Sequence, residues 1–136
     1  MKKRISDKIR EVEKYLEEFE GILPKSLEEY KSSLEKKAAC ERYIEKIAEG
    51  IADNAFLTIK YKKFEIPEDD KNAFEILAKH KIIMEETCKK MKNAKGMRNL
   101  IVHEYGKIDD EIVFEAITKE IVKDANKFLN EIGKIQ

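Results

Sequence analysis

Apolar residues recur at every third or fourth position along almost the whole chain, and few helix-breaking residues interrupt them. Near the start, Ile5, Ile9, Val12, Leu16 and Phe19 are separated by three or four positions. This spacing places them on one face of an α-helix. Only five glycines and two prolines stand among the 136 residues. The pattern therefore predicts an all-α chain whose helices pack together through apolar stripes.

The stripes and their breaks predict a single domain over residues 1–136, a bundle of four or five helices with one long second helix. We expect helices over about residues 5–20, 25–60, 70–79 and 82–93, a short helix over about 97–105, and a last helix over about 110–132. Gly21, Gly96 and Gly106 are expected to stop or interrupt helices. Gly50 lies inside the long second helix, where glycine costs about 1 kcal/mol relative to alanine. A close helix contact or a bend is therefore expected at Gly50.

The composition excludes several classes of protein. No apolar run approaches the roughly 20 residues that cross a bilayer, and no apolar stretch follows the basic start, so we expect neither a membrane protein nor a secretory signal. Cys40 and Cys88 are isolated, and His80 and His103 are the only histidines. These residues indicate neither a disulfide framework nor a metal site. We expect a cytoplasmic protein without a metal or cofactor, in which both cysteines lie in the core and His80 lies at a helix corner.

Charge is balanced over the chain but not along it. Twenty-eight basic residues match twenty-eight acidic ones, which argues against a protein that binds polyanions over its whole surface. Residues 89–107 carry a local net charge of +5, because Glu104 alone opposes six basic residues: Lys89, Lys90, Lys92, Lys95, Arg98 and Lys107. Overall neutrality predicts weak indiscriminate affinity for RNA, with any contact confined to one cleft. Within this stretch, Lys95 and Lys107 are candidates for RNA contact.

The basic stretch contains the sequence Arg98-Asn99-Leu100-Ile101-Val102-His103-Glu104-Tyr105, and its residue types suit metal-free RNA cleavage. A histidine can take the proton of a 2′-hydroxyl or protonate the leaving oxygen. An arginine offers several fixed donors to a phosphate that gains charge in the transition state. A lone histidine, however, more often packs or forms a structural hydrogen bond. The pattern by itself therefore leaves both interpretations of His103 open.

Helix geometry adds a constraint on these residues. On an ideal helix, Arg98 and His103 stand about 140° apart, whereas Asn99 and His103 share a face. Arg98 therefore needs its long side chain, or a cleft shaped by a second surface, to meet His103 at one phosphate. One histidine also falls short of a general acid and general base pair. A two-fold dimer could bring two copies of the segment together.

The segment Met97–Asp109 closely resembles the RX4HXY signature of HepT-like toxins of the HEPN superfamily. The resemblance extends upstream and covers essentially the whole chain. Glu41-Arg42, followed by the long Ile/Ala-rich helix, is similar to the family's second helix. Residues 64–69 and 73–77 are similar to its middle segment.

This resemblance implies an α-helical bundle that forms a homodimer, with the two motif helices facing one cleft. It implies a metal-independent endoribonuclease that acts as a toxin, and a partner antitoxin of the MntA type, a minimal nucleotidyltransferase. Such antitoxins transfer AMP to the motif tyrosine. By position, Arg98 and His103 would be catalytic, Asn99 would support them, and Tyr105 would be the AMPylation site.

Other interpretations stay open at this point. A non-catalytic HEPN module would use the same cleft to bind a nucleotidyltransferase, a nucleotide or RNA, and a plain helical interaction protein is a third possibility. Tyr105 could instead anchor the helix end through its ring. Arg42 could reach the dimer cleft or form a surface ion pair.

Overall fold

The structure is a computed structural model that describes residues 2–103 and 109–134. Over these residues it contains seven helices and no strand. The helices are α1 (Lys2–Ile22), α2 (Leu27–Ser32), α3 (Leu34–Lys62), α4 (Asp70–Lys79), α5 (Glu85–His103), α6 (Asp110–Lys119) and α7 (Ile121–Gly133). The predicted all-α class is confirmed. Over these residues the helix count exceeds the expected four or five. Of the six helical ranges expected along the sequence, two are each divided and two are joined into α5.

Helix α3 is the longest helix, and α1 packs along it. Gly50 of α3 is buried, and a Cβ atom at this position would lie 2.5 Å from Cγ2 of Val12 in α1. That distance is far inside van der Waals contact, so the two helices approach this closely only because Gly50 has no side chain. The close helix contact predicted at Gly50 is confirmed.

Helix α3 also packs against α4, α5 and α7. Phe74 of α4 meets Phe128 of α7 edge to face, with 5.9 Å between ring centroids, and both rings are buried. Met91 and Ile101 of α5 are buried as well. The helix that carries the motif is therefore held in the core at its middle and close to its end.

The predicted second helix, over about residues 25–60, is wrong in its first part. The chain is not helical at Ser33, whose φ and ψ are −118° and 108°, and the helix divides there into α2 and α3. The Ser33 hydroxyl accepts a hydrogen bond from the backbone N–H of Lys36 at 3.2 Å. This is N-cap geometry, so the serine starts a new helix instead of continuing the old one.

The expected breaks at Gly21 and Gly96 are also wrong. Gly21 lies within α1, and Gly96 lies within α5, which joins the predicted fourth helix to the motif helix. A glycine inside a helix costs about 1 kcal/mol. In α5 the buried side chains on both sides of Gly96, at Met91 and Ile101, compensate for that cost.

The predicted last helix is divided at Glu120, whose φ and ψ are −121° and −56°. Different neighbours explain this division. Helix α6 packs on α2, whereas α7 packs on α1, α3 and α5. The chain must therefore change direction between two helices that cover different parts of the bundle.

Three further features were expected from the sequence. Both cysteines are buried, as predicted, and burial raises the pKa of Cys40 to about 11. His80 directly follows the last residue of α4, at the predicted corner. Within the described ranges, no helix combines the length and apolarity needed to cross a membrane.

Candidate active site

The start of α5 is fixed by a carboxylate from another helix. Glu131 of α7 accepts a hydrogen bond from the backbone N–H of Met84 at 2.8 Å and another from the Thr87 hydroxyl at 2.5 Å. The N–H groups at a helix start lack partners within the helix, and a negative charge is favourable there. This contact and the buried residues of α5 set the position of the opposite end, where Arg98, Asn99 and His103 lie.

Arg98 points toward α3 and is held by two side chains. Its Nη2 atom lies 3.2 Å from Oε1 of Glu49, and its Nη1 atom donates to Oδ1 of Asn99 at 3.3 Å. Only 19% of the Arg98 side chain is exposed, and its Nε atom is buried without a hydrogen-bond partner. The guanidinium is thus a largely buried cation at the surface between α3 and α5.

Asn99 is half-buried, and its side-chain oxygen faces Arg98. The Asn99 amide therefore contacts the guanidinium of the preceding residue, and the supporting role expected for Asn99 stays a prediction. The orientation of His103 by Asn99, which shared helical register suggested, stays a prediction.

His103 is the last residue of α5, and it is exposed. Two apolar side chains beside it are exposed as well, Leu100 at 44% and Val102 at 38%. The Arg98 guanidinium contacts α3, whereas His103 is open to solvent at the helix end. The site thus combines one anchored cation with one accessible histidine.

Acidic side chains from neighbouring helices offset much of the positive charge of this stretch. Lys92 pairs with Glu75 at 2.9 Å, and Lys95 pairs with Asp70 at 2.7 Å, both carboxylates belonging to α4. The hydrogen bond from Lys92 lowers the pKa of Glu75. With Arg98 also paired, the +5 charge in the sequence overstates the positive charge that the folded segment presents. RNA contact by Lys95 stays a prediction, and it would require this lysine to leave Asp70.

Two other predicted residues, Tyr105 and Lys107, lie outside the described residues. Arg42 is exposed and pairs with Glu45 on the same helix at 3.2 Å, which is the surface ion pair that the sequence left open. Glu49 was not among the site residues predicted from the sequence. Nothing in the local sequence around Glu49 distinguishes it from the many other carboxylates of the chain.

Within residues 2–103 and 109–134, no group of three or more histidine, cysteine, aspartate or glutamate side chains is arranged to hold a metal ion. The end of α5 presents a guanidinium, an amide and an imidazole, from Arg98, Asn99 and His103. Such groups can bind a phosphate and move a proton.

Comparison with known proteins places the chain in a family. The family model described as ribonuclease HepT-like matches residues 12–132. The tRNA nuclease HepT of Aphanizomenon flos-aquae is 35% identical over 111 residues, covering 76% of this chain and 69% of that protein. A protein named putative RNase from Archaeoglobus fulgidus is 32% identical over 68 residues, covering 50% of this chain and 51% of that protein.

The fold is also similar to that of a solved toxin. The tri-AMPylated HEPN toxin of Shewanella oneidensis, in complex with an MNT antitoxin, superposes with a TM-score of 0.88 over 97% of both chains. The sequences are 20% identical, so this likeness concerns the fold alone.

Proposed function

Because the chain belongs to the ribonuclease HepT-like family, we propose that it is a metal-independent endoribonuclease and the toxin of a toxin–antitoxin pair. One observation carries the proposal: the end of α5 presents an exposed His103 close in sequence to an Arg98 that is fixed by Glu49 and Asn99. The names of the two relatives, a tRNA nuclease and a putative RNase, support the same class of activity.

The proposed reaction is an attack by an RNA 2′-hydroxyl on the adjacent phosphate. The bond between the 2′-oxygen and phosphorus forms while the bond from phosphorus to the 5′-oxygen breaks. One imidazole takes the 2′-hydroxyl proton, and an acid returns a proton to the leaving 5′-oxygen. His103 serves as base or acid, and Arg98 stabilises the negative charge that gathers on the phosphate. The products carry a 2′,3′-cyclic phosphate and a 5′-hydroxyl.

RNA digestion in the presence of EDTA tests this mechanism. Wild-type protein is expected to cleave RNA, and His103→Ala and Arg98→Ala are each expected to lower the rate by about a hundredfold or more. Arg10→Ala removes an exposed arginine of α1 that pairs with Asp7, and it serves as the matched control. An undiminished rate in His103→Ala would exclude the mechanism. RNA binding by wild-type protein without cleavage would favour the alternative, a non-catalytic module that binds RNA, a nucleotide or a nucleotidyltransferase.

We propose in addition that the active form is a homodimer. One His103 side chain cannot supply both the acid and the base of the reaction. Leu100 and Val102 also leave apolar surface exposed beside it. Light scattering coupled to gel filtration tests the stoichiometry. Mixing inactive Arg98→Ala and His103→Ala proteins tests whether the site is shared. Regained activity in the mixture supports a composite site, whereas a monomeric wild type that cleaves RNA would exclude it.

The partner and the control of the toxin follow from the same family membership. We propose that an MntA-type antitoxin inhibits this chain and transfers AMP from ATP to the Tyr105 hydroxyl, with release of pyrophosphate. The AMPylated state of the Shewanella oneidensis toxin in its antitoxin complex supports this proposal. An anion added only two positions from His103 in the sequence would repel the RNA phosphate.

Intact-mass measurement after incubation with antitoxin and ATP tests the modification. Wild-type protein is expected to gain the mass of one or more adenylyl groups, and Tyr105→Phe is expected to gain none. Tyr61→Phe, which changes a half-buried tyrosine near the end of α3, is the control. A mass gain that persists unchanged in Tyr105→Phe would exclude Tyr105 as the acceptor.

A further inference from the structure

We propose that Glu49 is a positioning residue for Arg98, one that sets the direction of the guanidinium toward the RNA phosphate. The inference rests on the proposed ribonuclease function and extends it to a residue outside the motif. Its basis is the contact between Oε1 of Glu49 and Nη2 of Arg98 at 3.2 Å, which joins α3 to α5.

A count of hydrogen-bond donors shows what this contact leaves available. A guanidinium carries five N–H donors in a rigid plane. In Arg98 one Nη2 donor faces Glu49, one Nη1 donor faces Asn99, and the Nε donor is buried. Two donors remain, one on each Nη atom. A two-point contact with a phosphate requires two such donors from one guanidinium.

Asn99 alone cannot fix that orientation relative to the rest of the protein. It is the next residue after Arg98 on the same helix, so it follows any movement of the end of α5. Glu49 lies on α3, which is buried along most of its length in the centre of the bundle. The Glu49 contact therefore ties the guanidinium to a second helix, one with many buried residues.

The contact also differs from an ordinary surface ion pair. Exposed pairs contribute little, because solvent screens them and both side chains stay free to move. The Arg98 side chain is 19% exposed and the Glu49 side chain 48%, whereas in the pair of Arg42 with Glu45 the arginine is the more exposed partner, at 59% against 29%. Burial already removes most of the conformational freedom of the Arg98 side chain. A single additional contact therefore suffices to select the direction of its guanidinium.

The test measures kcat and KM on RNA for the wild type, Glu49→Gln and Glu49→Ala. Glu49→Ala is expected to lower kcat by about tenfold to a hundredfold, because a misdirected catalytic group costs rate in this range. KM is expected to change little. Glu49→Gln keeps an oxygen that accepts the hydrogen bond, so it is expected to restore most of kcat. Glu45→Ala removes a carboxylate one turn away on α3 and is expected to leave kcat unchanged.

A double-mutant cycle separates positioning from general loss of stability. In an Arg98→Ala background, Glu49→Ala is expected to cause no further loss of kcat, because it no longer has a guanidinium to position. Equal losses of kcat in both backgrounds would overturn the proposal. So would a kcat in Glu49→Ala at or above the wild-type value, which would identify the carboxylate as a competitor of the phosphate.

The outcomes distinguish this inference from the proposed function. If the wild type cleaves no RNA, or if Arg98→Ala cleaves at the wild-type rate, the proposed function itself fails. If Arg98→Ala cleaves at a reduced rate while Glu49→Ala matches the wild type, only the role of Glu49 fails. Thermal unfolding of each variant identifies any loss of rate that comes from a smaller folded fraction.

Discussion

The Nη2 atom of Arg98 lies 3.2 Å from Oε1 of Glu49, and 49 positions separate the two residues in the sequence. Glu49 belongs to α3 and Arg98 to α5, so the packing of two helices sets the direction of the guanidinium. In the proposed mechanism, the motif supplies the chemical groups and the bundle supplies the orientation of Arg98. That mechanism therefore depends on residues that hold α3 and α5 in place.

Arg98→Lys tests whether the geometry of the guanidinium is needed in addition to its charge. Lysine keeps the positive charge, but its compact ammonium cannot contact Glu49 and Asn99 while offering two fixed donors to a phosphate. We expect kcat/KM on RNA to fall by about a hundredfold, the loss that accompanies removal of a donor to a developing negative charge.

The same substitution at Arg10 serves as the control for Arg98→Lys. Arg10 is exposed on α1 and pairs with Asp7, so Arg10→Lys is expected to leave the rate unchanged. An Arg98→Lys protein as active as the wild type would show that charge alone suffices.

Gly50→Ala tests the contact between α1 and α3. The added Cβ would lie 2.5 Å from Cγ2 of Val12, and valine is β-branched, so its side chain cannot easily turn away. Overpacking costs about 1–3 kcal/mol, and the better helix propensity of alanine returns up to about 1 kcal/mol. We expect a net decrease in the free energy of unfolding, measured by urea denaturation.

Gly96→Ala is the matched control for Gly50→Ala. A Cβ atom at Gly96 would meet nothing within 4 Å, so this substitution gains helix propensity without a clash. An increase of up to about 1 kcal/mol in the free energy of unfolding is expected. The interpretation of the helix contact fails if Gly50→Ala is as stable as Gly96→Ala.

The comparison of these two glycines also shows what the sequence could predict. Apolar periodicity identified the helices because burial acts on every third or fourth residue, and it gave α4 with the bounds that the structure has. It also indicated that Gly50 needed a special reason. It could not show that Gly96 is tolerated inside α5, because a glycine that ends a helix and a glycine within one look the same in sequence.

The candidate site was predictable only in part, for a related reason. Arg98, Asn99 and His103 are neighbours in sequence, so a local pattern could group them. Glu49 reaches Arg98 through tertiary packing, and the chain offers many carboxylates at helical positions that are equivalent in sequence terms.

The division of the predicted long helix at Ser33 was missed because a serine inside a run of good helix formers becomes a cap only when its hydroxyl meets the N–H of Lys36.

Glu131→Ala tests the contact that holds the start of α5. Glu131 accepts hydrogen bonds from the Met84 N–H and from the Thr87 hydroxyl, and Thr87 is 2% exposed. Removal of the carboxylate leaves a buried donor without a partner, which costs about 1–3 kcal/mol. We expect that decrease in the free energy of unfolding by urea denaturation.

Glu115→Ala is the comparison for Glu131→Ala. Glu115 pairs with Lys119 on the surface of α6, where such pairs contribute only about 0.2–0.5 kcal/mol. Equal effects of the two substitutions would show that the contact between α7 and α5 adds nothing beyond an ordinary surface pair.

Glu65 gives the fold a defined response to acid. The hydrogen bond from Lys79 at 2.8 Å, with further bonds from the backbone and from His80, lowers the pKa of Glu65 from 4.5 to about 2. A carboxylate whose pKa is lower in the folded state stabilises that state fully above the unfolded value, and this contribution is lost as the pH falls through the folded value. Glu65→Gln is therefore expected to lower the free energy of unfolding near neutral pH, and the difference from the wild type is expected to shrink between about pH 4.5 and about pH 2. Urea denaturation at several pH values measures this difference.

Glu68→Gln, at an exposed position in the same connection, is expected to follow the wild type throughout. A difference between Glu65→Gln and the wild type that stays constant down to the acid limit would show that the charge of Glu65 is not what stabilises this connection.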